Sequence, residues 1–488
     1  MPDATYDSIE CVAGCLEDTR QEVIGKIREW INGHNDQPIC WLNGVAGAGK
    51  SAISRTIAGI CEEELNRLGA SFFFWRGAGR RSIIANFIST LAYNLAFSVP
   101  ETRPHIEETL LTDDMIVHRL HQRQFRKLII DPIRSVKRSL LPMVIVVDGI
   151  DECNDKRMMA DLIGIIAEAF RHHRLPLRFF FTSRVEEHIL DRFTASPALG
   201  ATYRLNLHDF DADVDIRRFF RAQFNTIYEQ KSRLMRNVTL PWPSESDLDN
   251  LVGKSSGSFA FASTLIKFVN DGRDLPHRRL RAGLESHSGL DPLYTQVLQS
   301  APHSPYFTRV FTTIITIREQ LSITDLACLL QIEGGDIIHA LEGVQSIIMV
   351  PEDDEQPVRL FHTSLRDFLT TKARSERLFM DPPICHLSTA VDCLAVMTTH
   401  DDDIYKSGGL KFAALSWCNY MLSAINDDGG NNRLLFQDDV MNELKKFVSR
   451  SFDAWINSII YHCAGEIFVT LDLLLSGLKV GLLPGISF

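Results

Sequence analysis

The residues best suited to chemistry stand in the stretch WLNGVAGAGKSAI, positions 41–53. The spacing Gly44-x4-Gly49-Lys50-Ser51 is that of a Walker A phosphate-binding loop. Glycines lack a Cβ, so backbone N–H groups can approach phosphate oxygens at the start of a helix, where the helix dipole favours an anion. We therefore predict that Lys50 contacts the β and γ phosphates of a nucleotide and that the Ser51 hydroxyl is a ligand of Mg²⁺. The predicted nucleotide-contacting residues of the loop are Gly44, Val45, Ala46, Gly47, Ala48, Gly49, Lys50, Ser51 and Ala52.

Carboxylates follow a second apolar run, VIVV at 144–147. Asp148 comes directly after it and is predicted to contact the nucleotide site by holding Mg²⁺ through the water shell of the ion, as the acidic residue of a Walker B strand does. Asp151 or Glu152 is then placed to orient or deprotonate an attacking water, and the sequence does not decide between them. The alternative is an acidic surface turn at the end of a buried strand.

The elements that must position these groups are short apolar runs that alternate with helical patterns. Besides VIVV, the predicted strands are ICWL (39–42), ASFFFW (70–75), LRFFFTSR (177–184) and YRLNL (203–207). This alternation predicts an α/β fold, a parallel sheet flanked by helices. Arg184, at the polar end of its run, is predicted to contact the γ phosphate, and a plain surface cation is the alternative. No arginine finger can be assigned from the sequence; Arg76, Arg80 and Arg81 in FWRGAGRR are candidates because they follow a strand end, and a solvated loop is the alternative.

Three of these segments, GVAGAGKS, VIVVDGIDEC and FFFTSR, together resemble the NACHT group of STAND signalling ATPases. The likeness is greatest to fungal NACHT proteins, whose module opens with a pattern that CLEDTRQEVIGKIREW (15–30) and ICWLNGVAGAGKS (39–51) follow. It implies a cytoplasmic nucleotide switch of the NOD-like receptor type that binds ATP or ADP with Mg²⁺ and hydrolyses ATP slowly. It also implies that a closed ADP form opens to a self-associating ATP form, in innate immunity or non-self recognition, in response to a protein partner or elicitor that the sequence does not identify.

The resemblance also assigns residues outside the loop. Thr19 and Arg20 become neighbours of the base or ribose, although Thr19 and Glu22 by themselves predict a capping box at the start of a helix. Phe259 stands near the position where related proteins often have a proline that touches the base, and it is most simply a core residue. His362 matches a histidine that reaches the β phosphate of ADP in the resting state, and a structural histidine is the alternative.

After the last predicted strand the pattern becomes helical. Between residues 303 and 373 the order helix, helix, helix, two strands, helix predicts a winged helix, whose wing PEDDEQP (351–357) is acidic and would be repelled by DNA phosphates. The predicted domains are a helical lead-in bordering the nucleotide at 1–37, a NACHT P-loop NTPase domain at 38–207, a helical domain at 208–300, a winged-helix domain at 301–373 and a C-terminal helical region at 374–488.

Composition narrows the possible functions. The net charge of -11 argues against a surface that coats nucleic acid, and neither end of the sequence has the pattern of a signal peptide or a membrane span. The ten cysteines lack metal-site or disulfide spacing, which favours reduced thiols. Two other functions are compatible with a P-loop. An AAA+-type, winged-helix DNA-associated ATPase is disfavoured by the acidic balance, and a small-molecule P-loop kinase would have no use for the long helical region.

Overall fold

The computed structural model describes most of the chain. The described residues are 4–8, 13–33, 36–75, 84–113, 115–138, 140–236, 238–285, 289–299, 301, 304–399, 407–427 and 438–456. They divide into two compact units, Met1–Leu290 and Asp291–Phe488. The finer domain boundaries at 37, 207, 300 and 373 stay predictions.

A parallel five-stranded sheet forms the centre of the first unit. Its strands are β1 (Ile39–Asn43), β2 (Leu68–Phe73), β3 (Met143–Asp148), β4 (Leu177–Ser183) and β5 (Thr202–Asn206). They lie in the order β2-β3-β4-β1-β5, and every neighbouring pair is parallel. Parallel strands need crossover connections, which the intervening helices supply. The predicted α/β fold with a parallel sheet flanked by helices is confirmed.

Helices precede, separate and follow the strands of this unit. They are α1 (Gln21–Asn32), α2 (Lys50–Gly59), α3 (Phe87–Ser98), α4 (Arg103–Thr112), α5 (His121–Phe125), α6 (Asp131–Ser135), α7 (Lys156–His172), α8 (Glu187–Thr194), α9 (Ala198–Ala201), α10 (Asp213–Gln230), α11 (Glu245–Ser255), α12 (Phe259–Val269) and α13 (Pro276–Glu285). After β5 no further strand joins the sheet among the described residues, so α10 to α13 form the helical part that the sequence predicts after residue 208.

Side chains of the sheet alternate between two apolar clusters. On one face Trp41, Phe179 and Phe181 pack with residues of α3 and α7, and on the other Leu42 and Phe180 pack with residues of α1 and α2. Every residue of β1, β3 and β4 is buried, because both faces are covered. Strands in that environment read as continuous apolar runs. In β1 and β3 the polar residue stands at the end of the strand, at the carboxyl edge of the sheet.

Helix α1 begins without the predicted capping box. Arg20, and not Thr19, is the N-cap residue, with a φ of 59° and no side-chain cap. The Thr19 hydroxyl donates to the Leu16 carbonyl at 2.6 Å. The capping-box prediction is therefore wrong, and a distant residue explains why. The Arg20 N–H donates to the carboxylate of Asp215 in α10 at 3.0 Å, a contact that supports the left-handed backbone at Arg20.

The described residues of the second unit are mostly helical and include one short antiparallel pair of strands, β6 (Ile348–Met349) and β7 (Arg359–Leu360). Its helices are α14 (Leu290–Gln299), α15 (Phe307–Thr316), α16 (Ile323–Leu330), α17 (Gly334–Leu341), α18 (Ser364–Leu369), α19 (Lys372–Ser375), α20 (Pro382–Thr399), α21 (Gly408–Asp427) and α22 (Asp438–Arg450). From α15 to α18 the elements follow the order predicted for residues 303–373. Over the described part of the chain, every helix is too short or too polar to cross a bilayer.

Candidate nucleotide-binding site

The glycine-rich loop connects the end of β1 to the start of α2. Gly47 and Gly49 have φ values of +78° and +91°, in the left-handed region that glycine adopts without strain. Lys50 is the first residue of α2, so the loop surrounds the N-terminus of a helix. Exposed backbone N–H groups and the helix dipole favour an anion at such a place. The predicted strand, loop and helix are thus all present.

Lys50 folds its side chain back over the loop. Its Nζ donates to the carbonyls of Gly44 at 2.8 Å and Val45 at 2.9 Å. Burial lowers the pKa of Lys50, while the negative charges of Asp151 and Asp148 oppose that shift. The ammonium group therefore lies beside two carboxylates and uses neutral carbonyl oxygens as acceptors, which anionic phosphate oxygens can replace with a stronger bond.

Asp148 ends β3 and lies among hydroxyl groups. Its Oδ1 accepts hydrogen bonds from Ser54 Oγ at 2.7 Å and from Thr182 Oγ1 of β4, and Ser51 also donates to its carboxylate. Burial raises the pKa of the Asp148 carboxyl, and these hydrogen bonds and the charge of Lys50 act in the opposite direction. The carboxylate of Asp148 and the hydroxyl of Ser51 are oxygen donors of the kind that Mg²⁺ prefers.

A Mg²⁺ ion would need further ligands here. Among the described residues no group of three or more His, Cys, Asp or Glu side chains can hold a metal ion. Two protein oxygens suit Mg²⁺ only when phosphate oxygens and water complete its octahedron. The residues present therefore fit a metal ion that arrives with a nucleotide.

Asp151 and Glu152, which the sequence could not tell apart, have different surroundings. Asp151 is buried and accepts a hydrogen bond from the backbone N–H of Arg184 at 3.0 Å, and its Oδ2 lies 3.2 Å from Arg184 Nε. Glu152 is only half-buried and ends a 3-10 turn after Gly149, whose φ is +68°. The first carboxylate is thus committed to Arg184, and the second stands at the accessible end of the turn.

The start of α12 packs directly on the phosphate loop. The Ala260 N–H donates to the Gly47 carbonyl at 3.1 Å. A Cβ at Gly47 would come within 2.8 Å of both Ala260 Cβ and Ser258 Oγ, so only glycine fits between the loop and this helix. The sequence pointed to Phe259 at this place but not to its two neighbours.

Arg20 is placed beside the loop from the other side. Its Nη2 donates to the Ala48 carbonyl at 2.8 Å, and its guanidinium carbon lies 4.8 Å from the ring centroid of Phe259. Arg20 is 4% exposed, and its Nε and Nη1 have no hydrogen-bond partner among the described residues. Burial lowers the pKa of Arg20, against the effect of Asp215. Phe259 is half-buried under this cation, which differs from the core position that the sequence suggests.

Thr19 is buried next to Arg20, and its hydroxyl proton is committed to Leu16.

His362 belongs to the second unit. There its Nδ1 accepts the backbone N–H of Ser364 at 3.1 Å and lies 2.5 Å from Ser364 Oγ, which in turn lies 2.9 Å from the buried hydroxyl of Tyr294. The candidate arginine fingers lie outside the described residues.

Comparisons with known proteins match this chain to a protein family and to solved structures. The family model described as Nephrocystin 3, N-terminal, matches residues 19–184. A crystal structure of a STAND (signal transduction ATPase with numerous domains) protein with a tetratricopeptide repeat sensor, from Pyrococcus horikoshii, matches with a TM-score of 0.48 and 12% identity. The match covers 97% of this chain and 60% of that chain, so the present chain corresponds to only part of that protein. No match was found among curated proteins.

The family match begins at Thr19 and ends at Arg184, so it contains the phosphate loop, the acidic end of β3 and the polar end of β4. These three features converge at the carboxyl edge of one parallel sheet, where nucleotides bind in folds of this kind. Residues 19–184 thus match the Nephrocystin 3, N-terminal family model and contain the phosphate loop and the acidic strand end of a P-loop fold.

Proposed function

We propose that this chain is an ATP- and ADP-dependent signalling switch that hydrolyses ATP slowly. The observation that carries the proposal is the packing of α12 on the phosphate loop through Ala260 and Gly47. A helix that follows the sheet in the chain thereby contacts the loop that would hold the phosphates. Occupancy of the loop then changes the energy of the attached helical part, which is what a switch requires and a simple phosphotransferase does not.

Phosphate binding is assigned to the loop residues 44–52. Lys50 exchanges its two carbonyl acceptors for phosphate oxygens, and Ser51 and Asp148 are the oxygen ligands, direct and through water, that would hold Mg²⁺ with the nucleotide. When bound, Mg²⁺ neutralises charge on the β and γ phosphates. Arg20 contacts the loop through the Ala48 carbonyl and has two further buried donors, which supports its assignment with Thr19 to the base or ribose.

Asp151 and Glu152 receive separate roles. Asp151 orients Arg184, since it accepts both the main-chain N–H and the side chain of that arginine. Arg184 then reports whether a γ phosphate is present. Glu152, at the accessible end of the turn, positions the attacking water. This division differs from a shared catalytic role and gives the two carboxylates distinct mutant behaviour.

Switching also needs a difference in affinity between conformations, because a ligand that binds two forms equally shifts neither. We assign this to His362, as the resemblance to NACHT proteins implies. Since its Nδ1 accepts the Ser364 N–H, the neutral ring carries its proton on Nε2. That nitrogen is then a donor suited to a phosphate oxygen. The same resemblance supports self-association in the ATP form and a cytoplasmic role in innate immunity, with an elicitor still to be identified.

The proposal is tested by denaturing the purified chain and identifying the released nucleotide by chromatography. Bound ADP is expected. Small-angle scattering and size-exclusion chromatography are then compared for the protein with no nucleotide, with ADP and with a non-hydrolysable ATP analogue. An unchanged shape and assembly state in all three conditions would show that the domain binds nucleotide without switching.

One variant tests the histidine. His362→Ala should release ADP faster, by at least about tenfold, a loss of about 1.4 kcal/mol. His339→Ala removes an exposed histidine from the same unit and is the matched control. Equal ADP release rates in the two variants would exclude His362 from the nucleotide site while leaving the phosphate-loop assignment intact.

A further inference from the structure

A cavity of about 880 Å³ lies at the edge of the sheet opposite the phosphate loop. Residues at or directly before the first residue of all five strands line this amino-edge cavity. They are Pro38, Arg67, Pro142, Leu177 and Ala201. A strand of five residues spans roughly 17 Å at about 3.3 Å a residue. The amino-edge cavity is therefore separated from the nucleotide site by the full length of the strands.

Two of its lining residues are buried arginines. Arg67 donates from Nε to the Pro142 carbonyl at 2.8 Å, and from its terminal nitrogens to the Ile31 carbonyl and to the side chain of Asn32. Arg178 donates to the carbonyls of residues 33 and 37. These carbonyl and amide acceptors carry no formal charge. Several belong to the end of α1, so the arginines satisfy carbonyls that a helix C-terminus leaves without partners.

Capping of the α1 carbonyls explains why arginines are present at this edge. Arg67 is 7% exposed and Arg178 5% exposed, and an arginine side chain stays protonated in proteins. Burial lowers the pKa of both, and the positive charge of Arg67 lowers the pKa of Arg178 further. Two like charges are thus held close together in a poorly solvated place. An anion beside them would relieve that repulsion.

The rest of the wall adds positive charge. The other charged or titratable lining residues are Asp36, Arg171, His172, His173 and Arg174. Four arginines against one aspartate give the wall a formal charge of +3 with neutral histidines, in a chain whose net charge is -11. Arg171 lies 3.5 Å from Glu168, whereas Arg174 is exposed and has no ion-pair partner in the described part of the chain. The amino-edge cavity is thus basic in an acidic protein.

We propose that the amino-edge cavity binds a compact polyanion, a small molecule that carries several phosphate or carboxylate groups. Guanidinium groups match the oxygens of both groups with paired hydrogen bonds. The volume lies within the range of roughly 300 to 1,000 Å³ that is typical of small-molecule sites. A ligand there would contact the end of α1 and the end of α7 together, since both helices finish at this edge.

The test is calorimetric titration of the full chain, saturated with ADP so that the phosphate loop is occupied. One series uses inositol hexakisphosphate and the other uses citrate, so that the tighter probe distinguishes phosphate from carboxylate recognition. Saturable binding of at least one probe is expected. Arg174→Glu should weaken it by at least about tenfold, because the change puts a negative charge on the wall, and Arg174→Lys should restore most of the affinity.

Arg233→Glu makes the same charge change at an exposed arginine of the same unit and should alter the affinity less than about twofold. The absence of saturable binding for both probes would overturn the proposal. So would equal weakening by Arg174→Glu and Arg233→Glu, which would indicate a response to net charge alone. The Lys50→Ala variant without ADP should still bind the probe. If it does not, the probe occupies the phosphate loop and the amino-edge cavity is not its site.

Discussion

The two edges of the sheet both bury charged groups, but they satisfy them differently. At the carboxyl edge Lys50 lies beside Asp148 and Asp151, and its hydrogen bonds go to loop carbonyls that a ligand can replace. At the amino edge Arg67 and Arg178 donate to carbonyls where helices and strands end. The comparison indicates that the hydrogen bonds of Lys50 can be exchanged for those of a ligand, whereas the hydrogen bonds of Arg67 and Arg178 stabilise the fold. Substitutions should therefore separate affinity from stability.

The largest effect is expected at Lys50. Lys50→Ala should weaken nucleotide binding by at least about 1,000-fold, about 4 kcal/mol, because the cation is the main partner of the β and γ phosphates. The free energy of unfolding without nucleotide should change by less than about 1 kcal/mol. Binding of a fluorescent ADP analogue and urea unfolding measure the two quantities. Lys26→Ala, at an exposed lysine of α1, is the control. A large loss of stability with unchanged nucleotide affinity would contradict the assignment of Lys50 to ligand binding.

At the amino edge a substitution should reduce stability more than nucleotide affinity. Arg67→Met leaves the carbonyls of Ile31 and Pro142 without their donor, and should lower the free energy of unfolding by about 2 to 4 kcal/mol. ADP affinity of the folded protein should stay within about twofold. Urea unfolding measures the free energy of unfolding and calorimetry measures the ADP affinity. Arg233→Met, at an exposed arginine, is the control. If Arg67→Met is as stable as its control, the capping bonds contribute nothing.

Within the carboxyl edge the two acidic residues should behave differently. Glu152→Gln should slow ATP hydrolysis by roughly 100-fold and leave both nucleotide affinities unchanged, because it removes the group that positions water. Asp151→Asn should weaken ATP relative to ADP by about tenfold, because Arg184 loses its partner. Single-turnover hydrolysis and competition binding measure these effects. Identical profiles for the two variants would contradict separate roles.

The smallest effect concerns stability at Asp148. Because burial raises its pKa in the folded state, the folded protein without ligand loses stability as the pH rises above the ordinary carboxyl pKa of about 4. Asp148→Asn removes that loss and should raise the free energy of unfolding at pH 7 by about 1 kcal/mol, while nucleotide binding loses its dependence on Mg²⁺. Thermal unfolding at pH 5 and pH 7 measures the difference. A variant less stable than the parent at pH 7 would mean that the hydrogen bonds to Asp148 outweigh its burial.

The sequence predicted what local patterns determine. Apolar runs located β1, β3, β4 and β5 to within one residue and β2 to within two, and glycine spacing predicted the phosphate loop. Buried parallel strands leave a continuous apolar signal, so these elements need no tertiary information. The element order of residues 303–373 followed from the same reasoning.

What failed depends on residues far apart in the chain. The capping box was wrong because Asp215, 195 positions away, binds the Arg20 N–H. Phe259 was expected in the core, but the cation of Arg20 lies over its ring. No sequence pattern predicted the amino-edge cavity, because Arg67 and Arg178 come to the same edge only when the sheet forms. The sequence did not distinguish Asp151 from Glu152, because the burial of Asp151 and its contact with Arg184 depend on the packing of β4 beside β3.

A buried tryptophan lies near each edge of the sheet, two of the six tryptophans in the chain. The indole N–H of Trp41 donates to Ser183 Oγ at 2.8 Å near the nucleotide site, whereas Trp30 donates to the Gln37 carbonyl at 2.8 Å and lies 5.2 Å from the guanidinium carbon of Arg178. Replacing either indole by phenylalanine would show which emission band responds to a given ligand. Trp41 and Trp30 are thus two intrinsic fluorescent reporters, one near each edge of the sheet.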